Sequence, residues 1–254
     1  MSKSITDKHW NKRAVSEKDH AAVNIADVSQ RDLETEFVLA QLQPNSRILE
    51  IGCGNGFLTN ILRTRVNSVD AFDYAENMVE EARRLYGEKN NRFFHDNVLK
   101  PASVKPPYDA VVCVRVLINL RDLNEQKVAV SSIAAMLRPG GTFVMVEGFL
   151  DGFGALNELR EKCGLERLRP AAINFYSPLS DLMQHVQGLF VLGAEFHSGS
   201  FDFLTRVVYP ALVGSGKATG HADFHRQILP VARSFNPDQF KPLARLRGFA
   251  LTRR

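Results

Sequence analysis

The chain has 254 residues, 44% of them apolar and 24% charged, with a formal charge of +4. That length can bury one substantial core and leave room for an added lobe. No run approaches the ~18 to 20 apolar residues of a membrane helix, and Met1-Ser2-Lys3-Ser4 opens no apolar signal segment. A cytoplasmic protein without a membrane span is therefore expected. Three scattered cysteines, Cys53, Cys113 and Cys163, form neither a disulfide framework nor a C-x-x-C pair.

In chain order, Asp32 to Leu42 has the spacing of an amphipathic helix stopped by Pro44-Asn45, and residues 1–44 are expected to form an N-terminal helical cap. From there to residue 150, strand and helix patterns alternate, the mark of a parallel sheet covered on both faces. Strands are expected at Arg47–Ile51, Ser68–Phe72, Arg92–Phe94, Ala110–Val114 and Thr142–Val146. Helices are expected from Phe57 to about Arg65 and from Leu123 to Leu137, with a turn at Arg138-Pro139-Gly140-Gly141. Beyond residue 150 the pattern weakens. Asp151-Gly152-Phe153-Gly154 leads to a helix near Leu156–Cys163, Ser180–Gln187 reads as helix, and Phe190–His197 and Gly248–Thr252 read as strands. The stretch 201–246 between those strands is too long for a hairpin and reads as an insertion with structure of its own. The expected class is α/β: a doubly wound, Rossmann-like, mostly parallel sheet, with core 45–150 and the remainder, 151–254, completing one structural domain.

Residues 48–56, Ile-Leu-Glu-Ile-Gly-Cys-Gly-Asn-Gly, run an apolar strand into a glycine-packed turn where such a sheet opens its ligand crevice. A dinucleotide fingerprint would need its third glycine at 57, which is Phe57, so a pyrophosphate cradle is disfavoured. Asp73, 21 residues after Gly52, suits two ribose hydroxyl donors, and Asp96 with Asn97 could read an adenine edge. Taken singly, Asp73 and Asp96 would also serve as helix caps or turn residues.

These segments, with Val69–Met78, Tyr108–Cys113 and Leu137–Phe143, resemble in order and spacing the class I S-adenosylmethionine-dependent methyltransferases. The resemblance covers about residues 30–150. It implies a cofactor site of Glu50, Gly52, Cys53, Gly54, Gly56, Asp73, Tyr74, Met78, Asp96, Asn97, Val98 and Val114, and an antiparallel last strand. It also implies that S-adenosylmethionine leaves as S-adenosylhomocysteine.

The segment after the fourth strand, Val114-Arg115-Val116-Leu117-Ile118-Asn119-Leu120, lacks the Pro-Pro-aromatic signature of enzymes that methylate nucleobase amines. Arg115 and Asn119 are substrate-facing candidates or helix-end caps. A looser resemblance to a bacterial small-molecule and glycan subgroup adds Asn174, Tyr176 and Arg206 to the acceptor pocket. An alcohol acceptor needs a base, for which Glu147, His197, His221 and His225 are candidates. His221 and His225 sit four apart, but no third ligand stands at a diagnostic spacing, so no metal is expected.

Nine Lys or Arg against three Asp or Glu fall between Phe201 and Arg254, so the C-terminal part is basic. That excess would favour an anionic acceptor, or be an ordinary solvated surface. The expected activity is O-methylation of a small polar, sugar-derived or phosphorylated acceptor. An RNA methyltransferase and a noncatalytic cofactor-binding module remain alternatives, and a nucleic-acid partner is disfavoured.

Overall fold

A computed structural model describes residues 4–17, 19–20, 22–23, 26–87, 91–220 and 222–254. Two helices, α1 (Ile5–Ser16) and α2 (Val28–Ala40), precede a seven-stranded sheet. The strands are β1 (Arg47–Ile51), β2 (Ser68–Asp73), β3 (Asn91–His95), β4 (Tyr108–Val114), β5 (Leu137–Gly148), β6 (Phe190–His197) and β7 (Leu246–Arg253). Their order across the sheet is β3-β2-β1-β4-β5-β7-β6, with β7 antiparallel to both neighbours and the other pairings parallel. This is the Rossmann-like sheet expected, with its antiparallel last strand. Helices α3 (Phe57–Leu62), α4 (Glu76–Tyr86), α5 (Leu123–Met136), α6 (Leu150–Lys162) and α7 (Leu179–Leu189) complete the layers.

Strand alternation sorts the apolar residues onto two faces. Leu49 and Ile51, Val111 and Cys113, and Phe143 and Met145 point to the side of α5 and α7, where they meet Ala129, Ile133, Leu182 and Val186. Their neighbours Ile48, Ala110, Val112, Val144 and Val146 point the other way, against Val38 of α2, Leu62 of α3 and Val79 and Ala82 of α4. Because both faces are dry, the central strands read as unbroken apolar runs.

Three segments depart most from the expected ones. Arg138–Gly141 is not a turn between elements: it lies within β5, as an excursion between the Tyr108–Leu137 and Ala110–Thr142 pairings, with Gly140 at φ +71°. The sixth helix begins at Leu150 and takes in Asp151–Gly154, because Gly152 lets the helix backbone approach the Ala244 carbonyl. A Cβ there would lie 1.7 Å from that oxygen. The segment after β6 is helical from Gly199, with α8 (Gly199–Phe203), a π-turn at Leu204–Val208, α9 (Tyr209–Val213), α10 (Asp223–Ser234) and α11 (Pro237–Phe240). It is pinned to α2 through Asp27, whose carboxylate accepts from Arg206 Nη2 at 2.7 Å and meets His225 Nδ1 at 2.8 Å. Burial raises the Asp27 pKa, but the His225 hydrogen bond and the Arg206 charge outweigh it, so the carboxyl sits below its usual range. No helix among the described residues is long and apolar enough to cross a membrane.

Candidate functional site

The carboxyl ends of β1, β2, β3 and β4 open into a cavity of about 1020 Å³, at the upper end of the usual ~300 to 1,000 Å³ for one ligand. At one end β1 enters the glycine loop. Gly52 adopts φ +70°, and a Cβ there would lie 2.2 Å from Val116 Cγ2, so only glycine lets the loop pass under the segment after β4. Asp73 follows from β2. Its Oδ2 accepts the Gly54 N–H at 2.8 Å and its Oδ1 the Ala75 N–H at 2.8 Å, which fixes the carboxylate at the cavity wall. Burial pushes the Asp73 pKa up, and these backbone donors counter it. Glu50, 3% exposed, accepts from the Thr59 hydroxyl, and burial raises its carboxyl to about 8. Tyr74, Met78, Val98 and Val114 also line this end.

The glycine-loop and adenine-side residues do not all act alike. Cys53 and Gly56 do not line the cavity. The Cys53 side chain is 1% exposed in the core, and Gly56, at φ +82°, starts α3 where a Cβ would press on Tyr86, Ala82 and Phe93. Both Asp96 oxygens accept backbone N–H groups, from Asn97, Ala102 and Ser103, so this carboxylate ties down the loop after β3 rather than presenting a free edge to a base. Asn97 lines the cavity beside it, its Oδ1 accepting from Leu99 N–H at 2.9 Å.

At the other end lie Arg115, Asn119, Asn174 and Tyr176. Arg115 is the non-glycine residue among those described with a positive φ, +57°, a conformation that costs on the order of 1–3 kcal/mol. Its guanidinium is engaged by Glu34 of α2, with Nε at 3.1 Å from Oε2 and Nη2 against Oε1. Asn119 accepts from Trp10 Nε1 at 2.6 Å and donates to Asn174 Oδ1 at 3.1 Å, which stitches α1 across the opening. A second stitch runs from the Asn77 N–H to Asn11 Oδ1 at 2.9 Å. Trp10, Arg31, Glu34 and Arg245 also line the cavity, from elements distant in sequence, and no local motif marks them.

The expected bases lie elsewhere. Glu147 is 1% exposed and outside the cavity lining; its carboxylate accepts the N–H groups of Val116, Leu117 and Ile118, holding the turn after β4, and burial raises it to about 7. His197 stands on β6 with Nδ1 accepting from Gly199 N–H, away from the cavity. His225 and Arg206 belong to the buried Asp27 cluster rather than to the acceptor end. His221 lies outside the described residues. No cluster of three or more metal-ligating side chains occurs among the described residues.

This fold and this crevice are similar to those of class I S-adenosylmethionine-dependent methyltransferases. Residues 48–141 match the family model described as a methyltransferase domain. Among curated relatives, an uncharacterized methyltransferase of Mycobacterium bovis is 27% identical over 99 residues, 39% of this chain and 49% of that protein. A ubiquinone biosynthesis O-methyltransferase of Xanthomonas campestris is 29% identical over 114 residues, 43% of this chain and 46% of that protein. The chain thus spans about half the length of the curated relatives it matches. Among solved structures, the N-methyltransferase NodS of Bradyrhizobium japonicum with bound S-adenosylhomocysteine aligns over 99% of both chains at TM-score 0.60 and 14% identity. The magnesium protoporphyrin IX methyltransferase of Synechocystis, also with S-adenosylhomocysteine, aligns over 98% of this chain and 95% of that one at TM-score 0.60 and 15% identity.

Proposed function

We propose that this protein transfers a methyl group from S-adenosylmethionine to an oxygen of a small polar acceptor. The observation that carries the reading is a single cavity joining the Gly52–Asp73 end to the polar Asn119–Tyr176 end under α1. The cofactor supplies an electrophilic methyl group. Asp73 would accept from its ribose hydroxyls, Gly52 and Gly54 would let its amino-acid part approach the backbone, and Met78 and Val98 would face the adenine. The chain's own residues then have to orient the acceptor and shield the methyl from water, since in-line displacement depends chiefly on placement, while the hydroxyl proton released on transfer would pass to water or to His9 on the cavity wall. Tyr176, its ring packed edge-on against Phe153 at 5.1 Å, and the Asn119–Asn174 pair would do the orienting.

Oxygen is favoured over nitrogen by the state of the lining carboxylates. Glu34 is engaged by Arg115, Glu125 by Arg121, Asp7 by the Asn11 amide, Glu50 by the Thr59 hydroxyl and Asp96 by backbone donors, and Asp73 would take the ribose, so a substrate ammonium would meet carboxylates committed to other partners. A small acceptor is favoured over RNA by the basic segment itself. Arg206, Arg233, Lys241, Arg245 and Arg247 are paired with Asp27, Glu36, Glu195, Asp202 and Glu195, which leaves no continuous phosphate-binding stripe along them. Calorimetry with S-adenosylhomocysteine, followed by mass spectrometry of a hydroxylated-metabolite screen, tests the reading. Uptake of one equivalent, abolished by Asp73→Ala, is expected, together with a product heavier by one methylene, the net gain when a methyl group replaces the hydroxyl proton. Uptake without any methylated product would leave a noncatalytic module, and no uptake would overturn the proposal.

A further inference from the structure

Resting on that reading, we infer that the acceptor carries a carboxylate and that Arg245, with the Tyr176 hydroxyl beside it, is the residue pair that anchors it. Arg245 stands immediately before β7, its side chain 16% exposed, and lines the cavity. Asp202, fully buried, holds it from behind. One carboxylate oxygen of Asp202 accepts from Arg245 Nε at 2.7 Å, the other accepts the Arg245 backbone N–H at 2.9 Å, and the Ser198 hydroxyl donates to the same carboxylate. The guanidinium is therefore fixed through Nε, while its two Nη groups make no hydrogen bond with any described residue. Two terminal nitrogens in one plane, on a residue that lines the cavity, match the two oxygens of a carboxylate. Burial alone would lower the Arg245 pKa, but Asp202 more than compensates, so the group stays charged.

The other guanidiniums around the cavity are differently placed. Arg13 donates to the Ala22 and Val23 carbonyls, Arg115 is engaged by Glu34, Arg121 reaches Glu125, and Arg31 lies over the Phe57 ring at 4.1 Å. Tyr176 lines the same end, packed on Gly148, where a Cβ would fall 2.8 Å from its Cε1. Gly148 pairs with Leu246, the residue after Arg245, so the sheet register brings the phenol and the guanidinium together. Six carboxyl groups and five guanidiniums line the cavity. It is no strongly positive funnel, and one monoanion is matched better than a dianionic phosphoryl group.

The test is a thermal-shift titration of the full chain, saturated with S-adenosylhomocysteine, against hydroxy carboxylic acids, each paired with its primary amide and its phosphomonoester counterpart. The stabilising compounds are expected to be acids, binding at least about tenfold more tightly than their amides, as one charge-assisted hydrogen bond predicts. That selectivity should vanish in Arg245→Gln. Because this change leaves Asp202 buried without its partner, Arg245→Gln/Asp202→Asn is measured beside it, and S-adenosylhomocysteine affinity within about twofold of wild type establishes that each variant is folded. Equal binding of acids and amides, no acid-selective stabilisation at all, a preference for the phosphomonoesters, or selectivity surviving both variants would overturn the inference while leaving the methyltransferase reading intact. Failure of the wild type to take up S-adenosylhomocysteine would instead defeat that reading.

Discussion

Replacing Gly52 by alanine isolates the physical basis of the cofactor loop. Two costs arise. The left-handed backbone at φ +70° penalises any Cβ by about 1–2 kcal/mol. The new methyl would also sit 2.2 Å from Val116 Cγ2, well inside contact distance, and forcing the two segments apart costs about 1–3 kcal/mol. Together they amount to roughly 2–5 kcal/mol, which for a chain of this size lowers Tm by about 5–15 °C. Val116→Ala deletes the clashing methyls and should recover the steric part alone. The assay is a double-mutant cycle of Gly52→Ala and Val116→Ala, read both by thermal unfolding and by calorimetric S-adenosylhomocysteine affinity. A coupling of about 1–3 kcal/mol in stability is expected, with affinity in Gly52→Ala down about tenfold or more, because both residues line the cavity. Additive effects within about 0.5 kcal/mol would show that the loop does not pass under Val116 as described, and a Gly52→Ala variant of wild-type affinity would refute the role of the bare backbone.

Three further outcomes are expected. Burial raises the Glu147 carboxyl to about 7, so between its unfolded value near 4.5 and about 7 the folded state holds a proton that the unfolded state has lost. Stability should therefore fall as pH rises through that window, by up to about 3 kcal/mol from this group. Glu147→Gln should flatten that part of a urea-denaturation pH series, and an unchanged slope would contradict the assignment. Asp27, held below its usual range, works in the opposite sense: its contribution is present above about 3.8 and is lost as pH falls through the folded value. Asp27→Asn should cost about 3–5 kcal/mol at neutral pH by leaving Arg206 and His225 without their charge partner, and a loss under about 1 kcal/mol would show that the helical segment is not pinned there. The chain has one tryptophan, and Trp10 lies on the cavity wall. Its emission should change on saturation with S-adenosylhomocysteine, and a silent signal alongside calorimetric binding would place α1 away from the ligand.

What the sequence made legible was local. Arg47–Ile51 and Phe190–His197 are bounded as expected because an apolar run and its flanking breakers decide a strand within a few residues. The glycine loop and Asp73 lie at consecutive strand exits, so strand order alone brings them to one edge. The acceptor end is different, because its side chains are directed by partners remote in the chain. Glu34 meets Arg115 across 81 residues, Trp10 meets Asn119 across 109, and Asp202 orients Arg245 across 43. No periodicity carries that information.

The misplaced bases show how a strand exit can mislead. Glu147 leaves β5 on the ligand side of the sheet, which makes it resemble a catalytic carboxylate, yet three N–H groups of the turn after β4 lie within reach and draw it away from the cavity. Those donors belong to the turn that carries Val116 over Gly52 and Asn119 toward Trp10, so Glu147 acts on the site by holding its frame. With His197 and His225 also outside the cavity lining, the arrangement fits a reaction governed by placement, in which the turn after β4 would set the floor, α1 the roof, and the proposed Arg245–Tyr176 pair would orient what lies between. On that account, variants that loosen the frame should reduce turnover more than removal of any one titratable side chain in the cavity. Turnover measured for Glu147→Ala, which removes the acceptor of all three N–H groups, against His9→Ala, the cavity-lining histidine of α1, decides between placement and a dedicated base.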